Sequence, residues 1–363
     1  MTSEDLYSLH IIGSRGLGGA ERFLARLVHA LMDKGQRAAV VCRPNSRIQD
    51  ILDPSIKRFY VAMRNGWDLI SLTAIRRLII QQSPAIVQTY MGRATRLTSV
   101  PKKCKSIHVA RLGGFYKVRG YYRHADAWVG NTKAICDYLL KSGMDSERVF
   151  HIGNFVEPPA LTPTQALEEI RGRYSIPSDA VIIFSLGRFV EKKGFQDLLG
   201  AFEKVPSEVF GRPVFLVIAG DGPMQPQLEK TSRELGFRDR IRWVGWQNRP
   251  EPFYDLADIF VCASREEPLG NVVLEAWAHK LPVIATRTPG PLELITEGQN
   301  GFLVPIAEPL ALAKAISGLL QEKEVAWQEL GAKGFETLNS RHSKEAVVEA
   351  YLNMYKRVQQ LKH

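Results

Sequence analysis

Two carboxylates, Glu267 and Glu275, stand eight positions apart in the run Arg265-Glu-Glu-Pro-Leu-Gly-Asn-Val-Val-Leu-Glu275. Pro268 and Gly270 break regular structure, which places Glu267 in a loop, and from about Asn271 the residues favour helix. The first turn of that helix points unpaired N–H groups at the loop, where an anion gains from the donors and from the helix dipole. Gly270 lets a phosphate approach the backbone, and Glu275 can accept two hydrogen bonds from a vicinal diol such as a ribose. The combination suits a sugar nucleotide. Standing alone, the segment is equally an ordinary helix start with solvated acids.

Two further runs have the same form. Phe184-Ser-Leu-Gly-Arg-Phe-Val-Glu-Lys-Lys-Gly194 follows the apolar stretch from Ala180 and reads as a buried strand, a glycine turn and a basic loop. Arg188 and Lys193 then project from the carboxyl end of a strand, where open α/β sheets bind ligands. Two cations there can neutralise a diphosphate. Phe215-Leu-Val-Ile-Ala-Gly-Asp-Gly-Pro223 is again strand then glycine turn, carrying Gly220 and Gly222 to the same edge.

Taken together, Gly187-Arg188 with Lys193-Gly194, Gly220-Asp-Gly-Pro223 and Glu267-Pro-Leu-Gly with Glu275 resemble the family 4 glycosyltransferases. These are retaining, nucleotide-sugar-dependent enzymes of the GT-B fold. Gly18-Gly-Ala-Glu-Arg22 is similar to their first Gly-rich loop, and the matches run in order from near residue 10 to about residue 305. The resemblance implies two Rossmann-like domains facing a deep interdomain cleft, with a last helix that crosses back to the first domain. It implies an acceptor-binding domain over 1–155, joined by a helix over about 343–360, and a nucleotide-sugar-binding domain over 156–342.

The residue roles implied are these. Arg188, Lys193 and Glu267 act catalytically, the two cations on the departing diphosphate and Glu267 on hydroxyls of the transferred sugar. Gly18, Gly19, Gly220 and Gly222 bring bare backbone to the donor. Leu269, Gly270, Asn271 and Val272 hold sugar and phosphates through the main chain, Glu275 takes the ribose, and the base rests near Trp246. Fixed cations replace a divalent metal, and no Asp-x-Asp motif is present, so neither metal nor cofactor is expected. One departure stands out. Family members often carry a His after a late strand of the first domain, and here that run reads Val109-Ala-Arg-Leu-Gly-Gly-Phe-Tyr116. Arg111 at the strand end, His108 and Lys117 are the acceptor-side candidates, with His108 reading first as a core histidine.

Composition and periodicity agree. A chain of 363 residues, 45% hydrophobic and 24% charged, suits two soluble domains of ordinary size. Residues 1–155 carry 24 Lys/Arg against 11 Asp/Glu, a balance of +13, and residues 156–363 carry 24 against 27, a balance of −3, so the net charge of +10 comes from the first half. Such asymmetry asks for an anionic partner. Arg93, Arg96, Lys102, Lys103, Lys105 and the Arg111–Arg123 stretch carry much of it. Tyr121, Tyr122 and Phe115 interleave the charges, yet no nucleic-acid module is recognisable. An anionic membrane surface or glycolipid fits better, and a merely soluble basic face remains the plain alternative. No apolar run reaches the ~18–20 residues of a membrane span, and Met1-Thr-Ser-Glu-Asp is no signal peptide. Cys42, Cys104, Cys136 and Cys262 show no pairing or zinc spacing, so a reducing cytoplasm is expected.

The expectation is a cytoplasmic enzyme at the inner face of the membrane. It would move a sugar to a hydroxyl of a cell-envelope glycolipid, such as a lipopolysaccharide core or lipid-linked saccharide. The alternatives are a small soluble acceptor, or a non-catalytic nucleotide- or carbohydrate-binding protein on the same fold. Strands are predicted at 6–12, 38–42, 57–61, 85–89, 106–110 and 148–152, with helices at 21–34, 69–82 and 132–142. A second βα series follows over about 180–320, after a Pro-rich hinge at Asn154–Pro163, and an amphipathic helix over 343–359 ends the chain.

Overall fold

The computed structural model describes residues 6–361; the expectation about Met1–Asp5 lies outside them. The chain divides into two compact units, Met1–Phe155 with Lys344–His363, and Val156–Ser343.

In unit 1 the strands are β1 (Tyr7–Ile12), β2 (Arg37–Cys42), β3 (Lys57–Tyr60), β4 (Ile86–Tyr90), β5 (Ile107–Leu112), β6 (Ala127–Gly130) and β7 (Val149–His151). All pair in parallel, in the order β3-β2-β1-β4-β5-β6-β7. Strand order reverses between β1 and β4, so the loops after these two part and leave a crevice at their carboxyl ends. The helices are α1 (Gly19–Asp33), α2 (Leu69–Gln82), α3 (Met91–Leu97) and α4 (Lys133–Lys141).

Unit 2 repeats the plan. Its helices are α5 (Thr164–Arg173), α6 (Phe195–Phe202), α7 (Gln225–Glu234), α8 (Glu251–Leu256), α9 (Asn271–Ala278), α10 (Pro289–Leu294), α11 (Pro309–Gln321) and α12 (Glu324–Arg341). The strands are β8 (Val181–Leu186), β9 (Glu208–Val209), β10 (Arg212–Ala219), β11 (Ile241–Gly245), β12 (Ile259–Cys262), β13 (Val283–Thr286) and β14 (Phe302–Val304). The parallel path is β11-β10-β8-β12-β13-β14, with β9 antiparallel on the edge of β10. Here the order reverses between β8 and β12. Both faces of each sheet are covered, which is why the strands read as continuous apolar runs rather than alternating ones.

The last helix, α13 (Lys344–Gln360), belongs to unit 1. Its stripe of Val347, Val348, Tyr351, Met354, Tyr355 and Val358 is buried in the same core as Phe23, Leu27 and Leu31 of α1. Lys344 adds an ion pair to Asp33 at 2.7 Å. Strand β6 and helix α3 have no counterpart in the sequence reading. Four residues, Ala-Trp-Val-Gly, are too few to show a period, and Met91-Gly-Arg-Ala-Thr-Arg-Leu97 is held as helix by the strands beneath it rather than by propensity.

Candidate active site

The geometry follows from the break in strand order of unit 2. Strand β8 ends at Leu186, and the chain turns into Gly187–Gly194 over the carboxyl edge of the sheet. This loop shares backbone hydrogen bonds with the one after β10: Gly187 N–H donates to Ala219 at 3.0 Å and Phe189 N–H to Asp221 at 2.6 Å. Contact is close enough to exclude side chains. A Cβ on Gly220 (φ +148°) would lie 1.9 Å from the Gly187 carbonyl, and one on Gly222 (φ +151°) 2.5 Å from that of Phe189. Phe189 is buried against Phe195 and Trp243, with ring centroids 5.0 and 5.6 Å away. Its neighbour Arg188 is exposed and makes no ion pair among the described residues.

The same loop is joined to the one after β12. Arg265 and Glu266 N–H donate to the Lys192 carbonyl at 2.8 and 3.0 Å. Gly194 (φ +65°) packs so tightly that a Cβ would lie 1.9 Å from the Ala263 carbonyl. Arg265 grips Asp197 with two parallel bonds of 2.8 Å and reaches Glu191 at 3.5 Å. Two forked bonds of this kind fix orientation as well as position. The result is that Lys193 Nζ meets Glu267 Oε2 at 2.5 Å.

Glu267 is buried and held at both oxygens. Ser264 Oγ donates to Oε2 and the Gly270 N–H to Oε1, each at 3.3 Å. Burial disfavours the charge on Lys193. The carboxylate of Glu267, followed by Cys262 and Glu275, more than offsets it and raises the lysine above its usual value. Burial, with Glu267 beside it, pushes the Cys262 thiol up to about 11, so this cysteine is protonated and inert at neutral pH.

Gly270 (φ +83°) caps α9 in the left-handed region, and the half-buried Asn271 and Val272 form its first turn. Leu269 is buried beneath Gly290, where a Cβ would lie 2.3–2.5 Å from the Leu269 backbone; the Gly290 N–H donates to the Glu267 carbonyl at 2.9 Å. Further along α9, Glu275 Oε2 accepts from Tyr254 Oη at 3.2 Å. Tyr254 stacks on His279, 5.0 Å between centroids. His279 Nδ1 in turn meets Asp255 at 2.6 Å, and Asp255 also receives the Thr162 N–H at 3.0 Å. Trp246 is half-exposed with Nε1 on Asn248 at 3.0 Å.

In unit 1, Gly18 caps α1, and both it and Gly19 are exposed. The buried Glu21 carboxylate reaches back to the start of α1, accepting from the Gly18 N–H at 2.8 Å and from Ser14 Oγ. The acceptor-side candidates are not brought together. Strand β5 runs on to Leu112, so Arg111 lies within it rather than at its end and is 3% exposed. Its Nε donates to Tyr351 Oη at 3.1 Å, Nη2 bonds Asn154 Oδ1, and the guanidinium lies 4.0 Å from the Phe23 ring centroid. His108 is buried, with Nε2 2.9 Å from Thr89 Oγ1 and its ring 5.4 Å from that of His124. Lys117 is on the surface.

Asp197, Arg265, Tyr254, His279 and Asp255 were not anticipated. Each supports a site residue through a partner 20 or more positions away. Among the described residues no three His, Cys, Asp or Glu come together as a metal site. No described helix is long and apolar enough to cross a membrane.

Two parallel α/β units of this topology, with glycine-rich loops at the carboxyl edges, have the architecture of the GT-B fold. The solved structure of a Rickettsia africae glycosyltransferase superposes with a TM-score of 0.85 at 20% identity, covering 98% of this chain and 99% of that one. Anabaena Alr3699/HepE in complex with UDP-glucose gives 0.81 at 18% identity, over 98% and 99%. The family model for glycosyl transferases group 1 matches residues 167–333, and that for Glycosyltransferase Family 4 matches 17–158. The lipopolysaccharide core biosynthesis glycosyltransferase LpsE of Rhizobium meliloti is 32% identical over 339 residues, 93% of this chain and 95% of the relative. The chain belongs to the family 4 glycosyltransferases and is a glycosyltransferase enzyme.

Proposed function

We propose that this enzyme transfers a glycosyl unit from a nucleoside-diphosphate sugar, with retention of configuration, to a hydroxyl of a cell-envelope glycolipid. The observation that carries the donor half is the Lys193–Glu267 pair, fixed by two loops at the break in strand order of unit 2. Arg188 and Lys193, with the first N–H groups of α9, receive the diphosphate. Gly220 and Gly222, by keeping the neighbouring loop close, hold Arg188 at that edge. Glu267 orients hydroxyls of the sugar, Glu275 takes the ribose, and the base lies towards Trp246. As the bond from the anomeric carbon to phosphate oxygen breaks, negative charge grows on the leaving diphosphate. Fixed cations stabilise it there without a metal, and stabilisation of developing charge is what raises rate. The departing phosphate oxygen takes the proton of the acceptor hydroxyl as the new glycosidic bond forms on the same face.

The acceptor half is supported by similarity to a lipopolysaccharide core enzyme and by the basic first half of the chain. On this reading the protein works at the cytoplasmic face of the membrane as a peripheral enzyme.

A thermal-shift screen with UDP, GDP, ADP and CMP, without added metal, tests the donor half. A ligand at 100 times its Kd stabilises by about 2.7 kcal/mol. One nucleoside diphosphate should raise the Tm of the parent and fail to raise that of Glu275→Ala. No shift with any of them would contradict the reading.

A further inference from the structure

From Leu69 to Ala125 the chain contains 11 Lys and Arg and no Asp or Glu. Helix α2 opens this stretch and is apolar on two faces. Ile75 and Ile79 point into the core, while Leu69 and Ile70 stand 73% and 71% exposed, with Arg76 and Arg77 exposed beside them. The exposed side of this helix thus mixes large apolar side chains at its start with cations further along, as a helix lying in a membrane interface does. Trp67, just ahead of it, is 75% exposed, yet its ring is not loose: the Arg96 guanidinium stacks on it at 3.3 Å and lies 4.8 Å from the Tyr121 ring. The acid that directly precedes the helix, Asp68, is buried. Its carboxylate accepts from Ser71 N–H at 3.1 Å, Ser71 Oγ at 2.9 Å and Arg64 N–H at 3.0 Å, so it caps α2 instead of facing outward.

We infer that Trp67, Leu69 and Ile70, rimmed by Arg76, Arg77 and Arg96, form a wedge that enters the interface of an anionic bilayer. The inference rests on the membrane-acceptor reading above and names the surface that serves it. Three large apolar side chains project from one helix start instead of lining a groove, a shape that a soft bilayer accommodates. Guanidinium groups beside them can stay at headgroup level while the apolar tips enter, and tryptophan favours that depth. Each cation near an anionic surface adds to the attraction. At 14 residues α2 is too short to span the membrane and lies along it.

Flotation with phosphatidylcholine vesicles and with vesicles containing phosphatidylglycerol tests this, using the parent and the triple variant Trp67→Ser/Leu69→Ser/Ile70→Ser. The parent should bind the anionic vesicles, and the variant, with the same charge and an unchanged melting curve, should bind at least tenfold more weakly. Brominated lipid should quench tryptophan emission of the parent more than that of Trp67→Phe. Equal flotation of parent and triple variant would overturn the wedge and leave the membrane reading standing. A parent that responds to nucleotide but binds neither vesicle would overturn both, with the donor site untouched. A change of oligomeric state in the triple variant, with vesicle binding kept, would assign the patch to a second copy of the chain and also overturn the inference.

Discussion

The two sheets break their strand order in the same way and fill the break with opposite chemistry. In unit 2 the edge between β8 and β12 carries fixed charges: Lys193 on Glu267, Arg265 on Asp197, and Glu275 braced by Tyr254. In unit 1 the core beside β1, β4 and β5 is tied by largely neutral groups. Ser8 and Tyr90 bond the two nitrogens of His10 at 3.0 and 2.9 Å, Gln88 donates to Tyr90 at 2.6 Å, and Tyr355 donates to Gln88 at 2.6 Å. The cation beside this network, Arg111, gives its hydrogen bonds to Tyr351 and Asn154. These contacts bind α13 and the chain near Asn154 to the sheet. Buried neutral networks of this kind fix one arrangement of a core, whereas ionised pairs at a sheet edge prepare a field for a charged ligand. Arg76, Arg77, Lys102, Lys103, Lys105, Arg119 and Arg123 of unit 1 stand on the surface, where they can act on a partner.

The backbone contacts differ in the same sense, and glycine substitutions sharpen the contrast most. Gly194→Ala would force a Cβ into the Ala263 carbonyl at positive φ, and should cost about 3–5 kcal/mol. Gly18→Ala would meet only the end of the Glu21 side chain at 3.2 Å and should cost less than about 1 kcal/mol. Denaturant melts of the two variants check this; equal losses would mean that the loops of unit 2 are not backbone-locked.

Turnover comes next. Lys193→Ala should lower kcat by about 10²–10³-fold, with KM for the donor changed far less, as expected when an interaction strengthens in the transition state. Steady-state kinetics with saturating acceptor measure it. A rise in KM at constant kcat would make Lys193 a ground-state contact only.

The pH dependence of stability should divide between the units. Burial pushes His10 down to about 3, so the unfolded chain binds its proton more readily. Stability is therefore lost as pH falls from about 6.5 towards 3. Lys193 is raised, so its contribution is full below the ordinary lysine value and disappears as pH rises through the folded one. Thermal melts across pH should show the acid limb flattened in His10→Gln and the alkaline limb flattened in Lys193→Met. Each variant should leave the other limb alone.

The smallest effect is expected at Tyr254. Tyr254→Phe removes one hydrogen bond to Glu275 and should weaken nucleotide binding by roughly 2–10-fold, corresponding to 0.5–1.5 kcal/mol. Titration calorimetry on parent and variant resolves that range.

The fold was legible because buried parallel strands write themselves as apolar runs. Val181–Leu186 lies where the apolar stretch from Ala180 reads as a strand, and α2 spans Leu69–Gln82 as read. Helix α12 was missed because its exposed and buried positions do not separate cleanly along the chain. At the site, the glycines, Lys193 and Glu267 show in sequence because each sits in a loop that directly follows an apolar run, although the Lys193–Glu267 pairing spans 74 positions. The Asp197–Arg265 fork and the Tyr254–His279 stack do not, since each joins residues on separate helices and loops that only the strand order brings together. The surroundings of Arg111 were hidden for a related reason: its aromatic and amide partners come from α13 and Asn154, far along the chain.

The central claim is that Arg188 and Lys193 recognise the diphosphate. Titration of a nucleoside diphosphate and its monophosphate into the parent and into Arg188→Ala/Lys193→Ala tests it most directly. The parent should prefer the diphosphate by at least tenfold, and the double variant should bind both alike. A variant that keeps the preference would contradict the account.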